Sequence, residues 1–176
     1  MPFKNLPAIN DDKTINAFIE IPMHSHVKYE YNEEFNIIEV DRFSMTTMGY
    51  PCNYGSIHNT LGGDGDPLDV LVLTRFPLIP NCIIKARVIG VLLMADESGI
   101  DEKILCVPTI KADKSYSNVN SYKDLHEIEL DKIKHFFERY KDLDHGKWVK
   151  IEGWKDEKEA MKLIEASIQK YNSSVK

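Results

Sequence analysis

Asp64, Asp66 and Asp69 fall together in the stretch GGDGDPLDV (residues 62–70), directly before a β-branched run. Pro67 cannot donate a ladder hydrogen bond in a central strand, so Asp64 and Asp66 belong to a loop and Asp69 to its edge. Three carboxylates this close repel one another; at an effective dielectric near 20, two charges about 5 Å apart cost on the order of 3 kcal/mol. Hard divalent cations reverse that sign. Taken alone, the stretch also suits a solvated acidic turn, because Asp and Gly are common turn formers. A helix-loop-helix calcium site fails on spacing. Counting from Asp64, the sixth position is Asp69 where glycine is required, and the twelfth is Arg75 where glutamate is required.

A second acidic group, Asp96, Glu97 and Asp101, lies in ADESGIDEK between two strand-like runs, with Gly99 at its turn and Lys103 just beyond. One such hairpin loop is ordinarily just solvated, but two acidic loops flanked by buried strands suggest a metal site where barrel strands end. Cations and phenols are interleaved with the acids: Lys28, Arg42, Lys103, and Tyr50 and Tyr54 in YPCNYG. Guanidinium and ammonium groups clamp phosphate oxygens, Arg through bidentate bonds and Lys as a point charge. Singly, each of these side chains reads as surface or packing; it is their company that suggests a polyanion. Cys52 has no general-base partner in its local sequence, and His24 and His26 have no further ligand spacing, so neither nucleophilic nor transition-metal chemistry is favoured.

These residues must be positioned by strands in the first half and helices in the second. TINAFIEI (14–21) alternates, with Ile15, Ala17, Ile19 and Ile21 on one face and Phe18 and Glu20 on the other. Around Val27, Tyr29 and Tyr31, the charges of Lys28 and Glu30 project from one side of an extended segment. Ile38 and Val40 share parity with Arg42 in the next. DVLVLT (69–74), CIIKARVIGVLLM (82–94) and KILCVP (103–108) are apolar on both faces or nearly so, as the wall of a closed barrel requires. Near residue 122 the period changes. Ile133, Phe136, Phe137 and Tyr140 recur at helical spacing, as do Ala160, Leu163, Ile164, Ser167, Ile168 and Tyr171, with Asp156 and Glu159 as a capping pair. On this stripe Tyr140 reads as a packing residue. The fold expected is α+β and mainly β: a small barrel with two main α-helices on its outside.

The chain of 176 residues can bury one sizeable core, so one domain over 1–176 is expected. A net charge of −6, with dispersed Lys and Arg, argues against a nucleic-acid partner. Three cysteines without CxxC spacing suit a reducing compartment. The amino-terminal MPFKNLPAINDDK has no apolar leader core, and no run of eighteen apolar residues occurs, so a cytoplasmic location without a membrane segment is expected.

DGDPLDV (64–70) resembles the signature of the family I soluble inorganic pyrophosphatases, whose diagnostic core is DxDPxD. Around it IEIP with Glu20, KYE with Lys28 and Glu30, VDRF with Arg42, YPCNYG with Tyr50 and Tyr54, DE…D.K with Asp96, Glu97, Asp101 and Lys103, FFERYKDL with Tyr140 and Lys141, and GKWVKIEGW are similar in order and spacing. The resemblance spans about residues 14–171. It implies a five-stranded closed barrel of the oligonucleotide-binding (OB) type, an acidic cavity at its mouth, and, from likeness to the short-chain bacterial branch, a homohexamer. It further implies hydrolysis of diphosphate with several Mg2+ ions per site. In that scheme Asp64, Asp69 and Asp101 hold the tighter metal, Asp69 bridging to a second, and Asp96, Asp101 and Glu20 help hold those arriving with substrate. Glu30 acts through water, with Tyr50 and Glu97 supporting. Lys28, Arg42, Tyr54, Lys103, Tyr140 and Lys141 bind phosphate, and Asp66 is the general base. Two other readings stay open: a metal-dependent phosphohydrolase of a nucleotide or polyphosphate, and a non-catalytic OB-type binding module.

Overall fold

The apolar runs form the strands that their periodicity requires, in a computed structural model that describes residues 5–175. The start of the amino-terminal reading and both ends of the 1–176 domain therefore lie outside the described residues. In chain order the strands are β1 (Ile15–Ile21), β2 (Val27–Asn32), β3 (Ile37–Phe43), β4 (Asn53–Ile57), β5 (Leu68–Val72), β6 (Cys82–Asp96), β7 (Gly99–Ile100), β8 (Lys103–Pro108) and β9 (Val149–Lys155). The helices are α1 (Glu127–Arg139) and α2 (Glu157–Ser174). Strands β1, β4, β5, β8 and β6 pair in that order, and β6 returns to β1, closing a five-stranded OB-like barrel. Neighbours are antiparallel except β5 and β8, which run parallel. The long β6 serves three partners: its start pairs with β1, its middle with β8, and its far end with β9.

Parity along the strands explains why they are apolar on both faces. Ile15, Ala17 and Ile19 of β1, Ile57 of β4, Val70 and Val72 of β5, Ile104 and Cys106 of β8, and Ala86 and Val91 of β6 share one cluster with Ala160 and Ile164 of α2. Side chains from all five strands of a closed ring can meet only inside it, so this cluster is the barrel interior and α2 covers it. Residues of the other parity, among them Leu71, Leu105, Ile89 and Leu92, form a second cluster on the outer wall with Ile133, Phe136 and Phe137 of α1. Each such side chain, fully buried, contributes about 1.5–3 kcal/mol relative to exposure.

Four features depart from the sequence reading. Strand β4 was not expected, because NYGSI has no apolar run. Its pattern is nonetheless regular, with Asn53, Gly55 and Ile57 fully buried, and Gly55 is required because a Cβ there would lie 1.8 Å from the Phe18 carbonyl oxygen. Strand β9 interrupts the helical half. The Asp156–Glu159 capping pair is formed in one direction: Asp156 Oδ1 accepts from the Glu159 amide at 3.0 Å, whereas the Glu159 carboxylate accepts from Lys162 at 3.2 Å. Strands β2 and β3 stand apart as a two-stranded ribbon in which Lys28 and Arg42 are cross-strand partners.

Candidate active site

The outer wall carries a transverse row of polar residues. Ser56 of β4 pairs with Asp69 of β5, which pairs with Lys103 of β8, so three side chains leave adjacent strands on one face. The resemblance implied a cavity at the barrel's mouth, but this parity puts the site on the outside of the wall. It lies beside the end where β5 and β8 begin, roofed by the β2–β3 ribbon, the 96–101 hairpin and the segment after α1. The cleft so formed has a volume of about 530 Å³.

Lys103 lies at its floor, 2% exposed. Its ammonium bonds both the Asp69 and the Asp101 carboxylates, and it rests 5.5 Å from the Tyr54 ring centre and 5.7 Å from that of Phe137. Burial works against its charge, but Asp69 and Asp101 outweigh that cost and raise its pKa, so it stays protonated. Asp101 is pushed up by its own burial and by Asp69, which prevail over Lys103.

The ribbon is tied to the barrel through Glu20, whose Oε1 accepts from the Tyr31 amide at 3.0 Å. Burial, with further repulsion from Asp69 and Glu30, pushes Glu20 up to about 7. On the ribbon, Lys28 bonds Glu30 and lies 3.2 Å from Asp41, while Arg42 lies 3.4 Å from the same Asp41 carboxylate oxygen. In the loop before β5, Asp64 Oδ1 accepts from the Asp66 amide at 3.1 Å. Although Asp66 is exposed at the cleft's edge, partial loss of solvation by the surrounding protein, then repulsion from Asp64 and Glu30, raises its pKa from the ordinary value.

In the hairpin between β6 and β7, Asp96 accepts from the Ser98 amide at 2.8 Å and from Lys141 at 2.6 Å; Lys141 also reaches Glu97 at 3.2 Å. Burial tends to raise Asp96, but the Lys141 and Ser98 bonds prevail and its pKa is lowered. Tyr140 combines two roles: its ring stacks on Phe136 with centres 5.1 Å apart, as the helical stripe predicted, and it lines the cleft.

Every candidate residue except Tyr50 lines this one cleft. Tyr50 stands behind it, edge-on to Tyr54 at 5.5 Å and 4.8 Å from Phe136 between ring centres. The sequence reading missed Ser56, His58, Tyr31 and Lys147, which also line the cleft. Ser56 could be found only by knowing the β4 register. Lys147 sits in the GKWVKIEGW landmark and lies 3.5 Å from Glu97. Cys52 is buried, and burial pushes its thiol up to about 12, so it is no nucleophile. His24 and His26 do not line the cleft.

Among the described residues, no three of the His, Cys, Asp or Glu side chains converge as a ready ligand set. Instead ammonium groups stand between the acids: Lys103 between Asp69 and Asp101, Lys141 between Asp96 and Glu97. The donor chemistry still fits a hard cation. Glu20, Asp64, Asp66, Asp69, Asp96 and Asp101 offer only oxygens, and Glu20, Asp66 and Asp101 all have raised pKa values in which repulsion between neighbouring acids takes part.

Fold and site together set one cleft on the outer wall of an OB-like barrel, lined by carboxylates of the kind that suit divalent cations and by basic groups of the kind that suit phosphate. A family model described as inorganic pyrophosphatase matches residues 17–172. A relative named inorganic pyrophosphatase from Rickettsia prowazekii (strain Madrid E) is 50% identical over 171 residues, covering 97% of this chain and 99% of the relative. Another of that name from Saccharolobus solfataricus is 54% identical over 156 residues, 89% of this chain and 91% of the relative. The solved inorganic pyrophosphatase of Coxiella burnetii superposes with a TM-score of 0.91 at 48% identity, over 94% of this chain and 99% of the other. That of Thermus thermophilus gives 0.92 at 39% identity, over 98% and 99%. The chain belongs to the inorganic pyrophosphatase family.

Proposed function

We propose that this chain hydrolyses inorganic diphosphate to two orthophosphates, with Asp66 as general base and magnesium as the cofactor. The observation that carries this reading is the convergence of acids and cations on one cleft. Glu20, the Asp64–Asp69 loop and the Asp96–Asp101 hairpin bring the carboxylates, while Lys28 and Arg42 come from the ribbon, Lys103 from β8 and Lys141 from the segment after α1. Basic groups brought by several separate elements suit a substrate with an anionic group at each end. Water attacks one phosphorus, the bridging oxygen leaves with the other phosphate, and Asp66 accepts the proton; a pKa raised from its ordinary value makes it a stronger base for that task. Lys28, Arg42, Tyr54, Lys103, Tyr140 and Lys141 bind the phosphoryl oxygens and take up charge that grows on the leaving group. Asp64, Asp69, Asp101, Asp96 and Glu20 would hold magnesium, which would supply a lowered pKa for the attacking water and neutralisation of phosphate charge. Glu30, Glu97 and Tyr50 support these residues.

Family membership disfavours the two other readings, a nucleotide or polyphosphate phosphohydrolase and a non-catalytic binding module. No described helix is long and apolar enough to cross a membrane. A cytoplasmic homohexamer, acting as one domain over 1–176, belongs to the same proposal; it is supported by the likeness to the short-chain branch and by exposed apolar side chains such as Phe43 and Ile79. The test is phosphate release from diphosphate, triphosphate, a nucleoside triphosphate and a phosphomonoester, each with magnesium. Diphosphate should be strongly preferred, and equal rates on the nucleotide would overturn the reading.

A further inference from the structure

The loop that carries Asp64 and Asp66 has little to hold it in place. Residues 63–66 are all exposed, Gly63 and Gly65 add backbone freedom, and Gly65 sits at φ +99°. Within it the Asp66 amide bonds Asp64 Oδ1 and Gly63 backs onto Ile100, and the rest of its order comes from its stem. There the Gly62 amide donates to the Asp66 carbonyl at 2.7 Å, closing the loop on itself. Leu68 N donates to Thr60 Oγ1 at 2.9 Å, which anchors the loop's exit to its entry.

Two further bonds reach this stem from outside, both from the last turns of α2. The Leu61 amide donates to the Ser167 carbonyl at 3.1 Å, and the Lys170 ammonium donates to the Gly62 carbonyl. Gly62 is in close contact with the acids themselves. A Cβ built there would lie 3.0 Å from Asp64 Oδ1 and 3.1 Å from the Asp66 carbonyl oxygen. A shift of residue 62 is therefore passed directly to the Asp64 carboxylate and to the backbone of Asp66. Lys170 does not line the cleft and lies on the helix that covers the barrel interior, and its bond to the Gly62 carbonyl is what links it to the site among the described residues.

We propose that Lys170 is a positioning residue: by holding the Gly62 carbonyl from α2 it fixes the pose in which Asp64 and Asp66 meet metal and water. The proposal rests on the diphosphatase reading for its kinetic consequence, but not for its structural one. Outer partners that orient first ligands typically change metal affinity or activity by 10–100-fold. Because Lys170 is exposed, the low end, roughly tenfold, is expected here.

The experiment compares Lys170→Met, Lys170→Arg and a control on the same helix, Lys162→Met, whose ammonium pairs only within α2. Magnesium binding is measured by calorimetry without substrate, amide exchange is followed at Gly62 and Asp66, and kcat and KM for diphosphate are determined. Lys170→Met should weaken magnesium binding about tenfold and speed exchange at both amides, with a fall in kcat larger than any change in KM. Lys170→Arg should recover most of this, and Lys162→Met should match the parent chain. Unchanged exchange and magnesium binding in Lys170→Met would overturn the proposal while leaving the diphosphatase reading intact. A parent chain inactive on diphosphate would sink that reading, and the exchange and calorimetry would still decide the role of Lys170.

Discussion

Asp69 and Lys103 are register partners across the parallel β5–β8 pair, and the Lys103 ammonium bonds the Asp69 carboxylate as well as that of Asp101. One lysine thus compensates two acids. Lys103→Met keeps the volume and removes the charge, leaving Asp69 and Asp101 to repel each other. Breaking a buried pair by removing one partner costs about 3–5 kcal/mol. For a chain of this size that corresponds to a melting temperature lower by roughly 6–20 °C. Thermal melts in chelator should show the loss, and added magnesium should restore part of it. A variant as stable as its parent in chelator would mean that the two acids are compensated from elsewhere.

Among the described residues Asp66 has no ion pair holding it, and its pKa is raised, the opposite of Asp96, which Lys141 ties down. Asp66→Asn should therefore leave magnesium and diphosphate binding within a few-fold of the parent while kcat falls by about 10²–10⁴, the usual contribution of a positioned general base. Steady-state kinetics and calorimetry separate the two effects. An unchanged kcat removes Asp66 from the chemistry.

The barrel was legible because burial on both faces leaves a mark in the residues. DVLVLT, CIIKARVIGVLLM and KILCVP read as wall strands and are β5, β6 and β8. NYGSI left no such mark: its inner face is made by Asn53, Gly55 and Ile57, and Asn53 earns its place by bonding Met23 N and Leu78 N through its side-chain oxygen. The acids of the site were legible because their clusters have no use as core. Ser56 and Lys147 were not, since a serine on a strand and a lysine in a loop acquire meaning only when register and chain path bring them beside Asp69 and Glu97. The position of the cleft on the outer wall was equally invisible. It depends on which parity of each strand the ring closure turns inward, and local alternation has no sign.

Removal of divalent cations should abolish turnover, and it should also lower stability, because ions that bind only the folded chain contribute about 2.7 kcal/mol at a hundredfold excess over their dissociation constant. Calcium should replace magnesium without supporting turnover, since its larger and looser shell positions the attacking water poorly. Phosphate release and melting temperature are measured in chelator, then with magnesium, then with both ions. Full activity in chelator would exclude the mechanism.

His58 offers a test of stability that is separate from the metal ligands. Its ring meets Phe18 at 4.8 Å and Tyr31 at 5.7 Å between centres, and burial lowers its pKa to about 4. The unfolded chain binds the same proton near pH 6.5. Between these values the unfolded state holds more protons than the folded one, so stability attributable to His58 is full above about 6.5 and declines as pH falls toward 4. Glu20, raised to about 7, runs the other way and stabilises the folded chain as pH falls through the same window. The net acid limb therefore mixes both, and only a difference isolates one. Urea midpoints of the parent chain and of His58→Gln, in chelator at pH 7.5, 6.5, 5.5 and 4.5, should diverge from one another as pH falls, the variant losing less, by at most about 1.4 kcal/mol for each pH unit. Curves that stay parallel from pH 7.5 to 4.5 would show that His58 takes up its proton in the folded chain as readily as in the unfolded one, and that the ring packing does not keep it neutral.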